Sequence, residues 1–146
     1  MKLTRLRSGE LIALAGAILV IVALTRPWYE NAGVLFSAWS TFGPAVVLIM
    51  VAALSALVLV LTTITERSTA FPVASAVWSV LFGLIGVIAA IVRVLERPDS
   101  ATSLCAGAWL ALAGTILILA GSWQSMRDER TSAYRRARPE PRKFST

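Results

Sequence analysis

The inventory of reactive side chains is limiting, since the chain has eight Asp and Glu residues, one cysteine and no histidine, the usual general acid–base group. Glu30 and Glu96 come nearest to a pair, in a group with Arg26, Arg93, Arg97 and Asp99 that the topology derived below puts at one end of the molecule. Two acids define catalysis only where a pocket holds them at a working separation. Two readings stand for this cluster. One is a site for a polar headgroup or substrate, with Arg93 partly sunk into a helix end; the other is snorkelling arginines and loop ion pairs of little energy. Cys105 has no second thiol and lies too deep in the chain for lipoprotein acylation, so it reads as a small apolar residue in a packed helix. Haem, zinc and thiol–disulfide chemistry lack ligand sets, and no phosphate-binding glycine motif or nucleophile elbow occurs. The expectation is a chain that is not an enzyme, with no cofactor and no metal.

The elements that carry these residues follow from where charge is missing. Hydrophobic residues make up 57% of the 146 and charged residues 15%, against roughly 45–50% and about 25% in an ordinary soluble domain. That excludes a soluble globular fold. At about 20 apolar residues per crossing, four crossings is close to the ceiling. Uncharged runs extend from Leu11 to Thr25, Asn31 to Thr65, Ser68 to Val92 and Ala101 to Met126. Gly43-Pro44 and Phe71-Pro72 put proline in a first helical turn, whereas Arg97-Pro98 blocks continuation. Asp99, Ser100 and Thr102 offer caps for a last helix. Spans are therefore expected at 9–26, 44–63, 71–95 and 102–123, within a transmembrane domain of residues 1–126 that precedes a basic tail, 127–146. The first run is short and begins basic, as a signal peptide does, but it ends in Leu24-Thr25-Arg26-Pro27-Trp28-Tyr29 instead of a small-x-small cleavage site. A retained first helix is expected; a cleaved signal would leave three spans.

The fold class is thus all-α, a four-helix transmembrane bundle. Lys2, Arg5, Arg7, Arg67, Arg127, Arg130, Arg135, Arg136, Arg138, Arg142 and Lys143 fall on one side, and Arg26, Arg93 and Arg97 on the other. The positive-inside rule then places both termini in the cytoplasm. Arginine in excess of lysine, with abundant alanine, suits a GC-rich bacterial genome and hence the bacterial cytoplasmic (inner) membrane. In lipid, helices associate where small residues let backbones approach. Ser79, Gly83, Gly86 and Ala90 share one face of the third helix, and Gly107, Ala111, Gly114 and Gly121 form a stripe on the fourth. These two faces are expected to pack on each other, unless they only reflect the small residues common to membrane helices. Ala13, Gly16 and Ala17, and Ala52 with Ala56, form weaker versions. The fully buried depth of each helix lacks an ionisable group, with Glu10 at the cytoplasmic mouth of the first helix. Small four-span multidrug exporters depend on a glutamate within that helix, so secondary transport is disfavoured unless an oligomer builds the route.

The first outer loop runs through Pro27-Trp28-Tyr29-Glu30 to Phe36, Trp39 and Phe42. Aromatics at every third position predict a short helical turn lying in the membrane surface, with Trp28 and Tyr29 beside it. It reads either as a docking surface for a partner or lipid headgroup, or as an ordinary aromatic belt. The tail carries seven basic and three acidic residues from Arg127 onward, and each Lys or Arg near an anionic bilayer contributes ~1 kcal/mol of attraction. It is expected along the inner leaflet, through Arg127, Arg130, Arg135, Arg136 and Arg138, with helix 4 prolonged to about Ala137. Anionic inner-leaflet lipids are its partners in this reading, and nothing here reads nucleic-acid bases.

Arg5-Leu6-Arg7-Ser8-Gly9-Glu10, Pro27-Trp28-Tyr29, Phe36-Ser37-Ala38-Trp39, Ala106-Gly107-Ala108-Trp109-Leu110 and Ser125-Met126-Arg127-Asp128-Glu129 together resemble a group of small, uncharacterised four-span actinobacterial integral membrane proteins. The resemblance covers the chain to about Arg130 and carries no known chemistry. It implies the same topology. The functional expectation is a non-catalytic accessory or assembly subunit, or small scaffold, contacting a larger membrane protein or itself. The alternative is a small oligomeric transporter or lipid-handling protein.

Overall fold

The computed structural model describes residues 7–40, 43–65, 70–96 and 103–137, and the side chains of these except at 70–72 and 129–137. Four helices dominate: α1 (Ser8–Thr25), α2 (Pro44–Thr65), α3 (Ala70–Leu95) and α4 (Ala106–Ala137). All four contain a stretch long and apolar enough to cross a membrane. The chain is a mostly helical bundle built as a multi-pass membrane protein. Each helix packs on the next, α4 closes back on α1, and α2 and α4 approach across the centre.

Side-chain size is sorted in the sense that lipid allows. The interior is lined by small residues, among them Ala13, Ala17, Ala52, Ala56, Ser79 and Ala111, while Ile18, Leu54, Val58, Leu84 and Ile88 point outward. With no hydrophobic force to drive large apolar groups inward from hydrocarbon, close backbone approach and interhelical hydrogen bonds hold the helices together. Pro44 opens α2, where its missing N–H costs nothing, and the Val46 N–H returns to the Gly43 carbonyl at 3.0 Å.

The all-α expectation needs an addition. A three-stranded antiparallel sheet, order β2-β1-β3, sits at one end of the bundle, from β1 (Pro27–Asn31), β2 (Val34–Ser37) and β3 (Ser103–Leu104). The helical turn expected through Phe36, Trp39 and Phe42 is not formed there: Phe36 pairs with Tyr29 in the hairpin, and Trp39 lies in the turn after β2. Phe42 lies outside the described residues. Ala32 and Gly33 join the strands with φ of 48° and 83°, the positive values that a two-residue type I′ hairpin turn requires. Strand β3 takes up residues expected in the last helix, so α4 begins at Ala106 rather than near 102. At the other end α4 runs to Ala137, a length of 32 residues or about 48 Å, against the ~30 Å thickness of a hydrocarbon core.

Candidate functional site at the hairpin end

Two consecutive residues of β1 fasten the sheet to the bundle. Alternation would send Trp28 and Tyr29 to opposite faces, yet both are buried, at 1% exposure. The register shifts between Pro27 and Tyr29, and this bulge re-aims the strand so that both rings enter the core. They meet edge to face with centroids 6.5 Å apart. The Trp28 indole Nε1–H donates to the Ala23 carbonyl at 2.8 Å, and the Tyr29 hydroxyl donates to the Arg93 carbonyl at 2.9 Å. These acceptors lie in the last turns of α1 and α3, where helix carbonyls lack intrahelical donors. The Cys105 N–H donates to the Trp28 carbonyl at 2.8 Å, which ties in the start of α4. A Cβ on Gly107 would strike the Trp28 ring and the Pro27 carbonyl, so the glycine makes room for the indole. Three helix ends are thereby stitched to one strand.

Trp28 and Tyr29 are therefore core residues rather than part of an exposed outer face, because the bulge turns both inward and helix-end carbonyls take up their donors. Burial raises the Tyr29 phenol above its ordinary value of 10.0, with the positive charge of Arg93 pulling the smaller way down. Of the aromatic group, Phe36 is half-buried against the core and Trp39 is 50% exposed. The hairpin instead presents two aliphatic residues whose exposure the aromatic spacing did not signal, Val34 and Leu35, at 58% and 60%. The outer charges are spread around this platform. Arg26 and Glu96 are exposed, Glu30 and Arg93 are half-buried, and Glu30 accepts a long 3.4 Å bond from the Ser103 hydroxyl across the β1–β3 pair. Arg97 and Asp99 lie outside the described residues.

The small-residue faces are used within the chain. The α4 stripe meets α1 rather than α3: a Cβ at Gly114 would come within 2.8 Å of Val20 and 2.9 Å of the Gly16 carbonyl, and one at Gly121 would strike the Ala13 backbone. Gly83 does face α4, at Leu119 and Ile118, whereas Gly86 faces Ala52 of α2 and Thr115 of α4. Ser79 and Ser122 share a buried 2.7 Å hydrogen bond between α3 and α4. Ala111 is buried, as is Ala90 near the end of α3.

At the opposite end, Glu10 is not open at a mouth. It is 2% exposed, accepts the Arg7 backbone N–H at 2.5 Å and the Ser125 hydroxyl at 2.8 Å, and lies beside a 2.9 Å bond from Gln124 Nε2 to Ser8. Its place three residues after Arg7 was the legible part, as a carboxylate that folds back on its own helix start. Its partner on α4 was not. Beyond Ser125, Arg127 is exposed, Arg130, Arg135 and Arg136 belong to the helical extension of α4, and Arg138 lies outside the described residues. Among the described residues no group of three or more acidic, Cys or His side chains could hold a metal ion. No family model matches this chain, no curated protein is similar to it, and no solved structure matches its fold.

Proposed function

We propose that this chain is a non-catalytic integral membrane protein of the bacterial cytoplasmic membrane, an accessory or assembly subunit that contacts a larger membrane partner at its hairpin end. Both termini face the cytoplasm in this reading, the basic residues after Arg127 meet anionic inner-leaflet lipid, and the hairpin faces outward. The kinship with small four-span actinobacterial membrane proteins belongs to the same proposal. What carries it is the mounting of the hairpin: Val34 and Leu35 on the sheet, and Trp39 in the turn that follows it, are exposed, and hydrogen bonds fix the sheet to the ends of α1 and α3 and the start of α4. A rigid support keeps the entropic cost of binding low, and exposed apolar residues at its tip supply contact area. The glycine faces are already filled, which leaves this end as the distinctive surface.

The test is purification of the tagged native protein from its own membranes in mild detergent, with mass spectrometry of what is retained at fixed stoichiometry. One recurrent larger membrane protein is expected, and it should be lost from Val34→Ser/Leu35→Ser/Trp39→Ala without loss of the tagged chain. Purification of the chain alone, or retention unchanged in the triple variant, overturns the reading.

A further inference from the structure

We infer that the larger partner is held by strand addition, which rests on the contact at the hairpin end proposed above: an extended, uncharged segment of that partner pairs with the open edge of β2, and Leu35 is the residue that exchanges backbone hydrogen bonds with it. The two-residue turn Ala32-Gly33 is closed by Asn31 and Val34, the pair that bonds to each other in such a hairpin. Bonded and non-bonded pairs then alternate along an antiparallel ladder, so Tyr29 and Phe36 bond and Glu30 and Leu35 do not. Glu30 spends its backbone groups on the other side, against Ser103 of β3. Leu35, opposite it, turns its N–H and C=O away from β1. Among the described residues no strand lies there, because β2 is an outer strand in the order β2-β1-β3. The open edge is short: at the next outward position the Ser37 carbonyl already takes the Ser40 hydroxyl at 2.8 Å.

The occupant follows from what the edge leaves unpaired. Val34 and Leu35, at 58% and 60% exposure, project to opposite faces of the same edge. A partner that takes both out of water closes over the backbone between them, and the Leu35 N–H and C=O are buried with it. Buried backbone groups require partners. Another extended backbone supplies an acceptor and a donor at the right spacing, and run antiparallel it does so from one residue. The edge also lacks the features by which natural sheets refuse an added strand. Val34-Leu35-Phe36-Ser37 carries no charge and no proline, and the register shift lies on β1 between Pro27 and Tyr29, beyond Leu35. With no charge on β2 or on Ala32-Gly33, the segment that flanks Val34 and Leu35 is itself apolar. The opposite edge offers nothing comparable, since β3 is two residues long and leads into α4. Because the sheet is already fixed to three helix ends, pairing has to order only the incoming segment.

The experiment separates backbone from side chain. The tagged full-length chain is purified from its own membranes in mild detergent, both free and with the partner it retains, and amide hydrogen exchange is resolved along Val34–Ser37. In the free chain Leu35 should exchange fast while Val34 and Phe36 exchange slowly; in the complex Leu35 should slow to match them. Leu35→Ala keeps the N–H and should hold most of the partner. Leu35→Pro removes the N–H and sets its ring where the added backbone comes, so retention should fall roughly tenfold or more. Proline disturbs the hairpin itself little, because that N–H takes no part in the pairing with β1, and slow exchange of Val34 and Phe36 in the free variant verifies it. Equal loss from Leu35→Ala and Leu35→Pro overturns strand addition in favour of side-chain docking. A partner kept by Leu35→Pro but lost from Val34→Ser/Leu35→Ser/Trp39→Ala overturns it while contact at the hairpin end stands; no partner in wild type removes both. Leu35 protection that appears in the free chain as its concentration rises assigns the edge to a second copy and overturns the assignment to a different protein. Exchange in the wild-type complex carries the test by itself where the proline variant fails to fold.

Discussion

Tyr29 and Arg93, 64 residues apart in the chain, are joined by a 2.9 Å hydrogen bond from the phenol to the backbone carbonyl. A strand residue thus completes the end of a helix from another part of the fold. Because burial holds the phenol in its protonated form beyond 10.0, the donor is present throughout the neutral range. The sign for stability follows. Above pH 10.0 the unfolded chain releases the Tyr29 proton before the folded chain does, so stability is full below that pH and falls as pH rises past it. Tyr29→Phe should lose about 1 kcal/mol at neutral pH and flatten part of the alkaline decline. Thermal unfolding in detergent across the alkaline range checks both effects.

Trp28 makes the matching bond to α1. Trp28→Phe keeps most of the ring but removes one of two donors to the Ala23 carbonyl, which still takes the Arg26 N–H at 3.2 Å, and should cost about 1 kcal/mol. Trp28→Ala also opens a cavity against Gly107, and the loss should rise to about 3–5 kcal/mol. Unfolding midpoints of the two variants, compared in one detergent, separate the bond from the packing.

Gly16 and Gly114 face each other across the α1–α4 seam. A Cβ at Gly16 would lie 2.6 Å from the Gly114 carbonyl, and backbone cannot yield as a flexible side chain does. Gly114→Leu should therefore force α1 and α4 apart, at the upper end of the roughly 1–3 kcal/mol typical of overpacking or beyond it. Size-exclusion profile and melting temperature read the result. An unchanged melt would mean that the close approach is dispensable.

The hairpin turn supplies a prediction of the opposite sign. Ala32 holds φ at 48°, which costs a residue with a Cβ about 1 kcal/mol. Ala32→Gly or Ala32→Asn should leave the melt unchanged or raise it, while Gly33→Ala should lower it by strain alone, since nothing lies within 4 Å of a Cβ there.

Much of the fold was legible because charge and proline mark membrane helices so strongly. The number of spans and the opening of α2 at Pro44 follow from uncharged runs and from where a missing N–H is harmless. The sheet was not legible. Its strands are five, four and two residues long, shorter than a pattern can declare, and aromatics three apart at Phe36 and Trp39 mimic a helical turn. Nor does an Ala-Gly pair announce a hairpin as Asn-Gly does. The bulge that buries both Trp28 and Tyr29 depends on pairing with β2, which no local signal contains. Helix 4's glycines were visible as a stripe, but a stripe does not say which neighbour it meets. That choice belongs to the closure of the ring, which sets α4 against α1. Glu10 was placed correctly along its helix and wrongly in its surroundings for the same reason.

The seam also sets an order of events. Glu10 and Ser125 are 115 residues apart, so α1 leaves the ribosome and enters the membrane long before its partner exists. Throughout that interval the face of α1 along Gly9, Ala13 and Gly16 lacks the α4 backbone that meets it in the finished fold. The ring closes only when the last helix is in place. A chain truncated before residue 106 would consequently lack α4 altogether and leave the closest-packing face of α1, at Gly9, Ala13 and Gly16, without the partner that fills it.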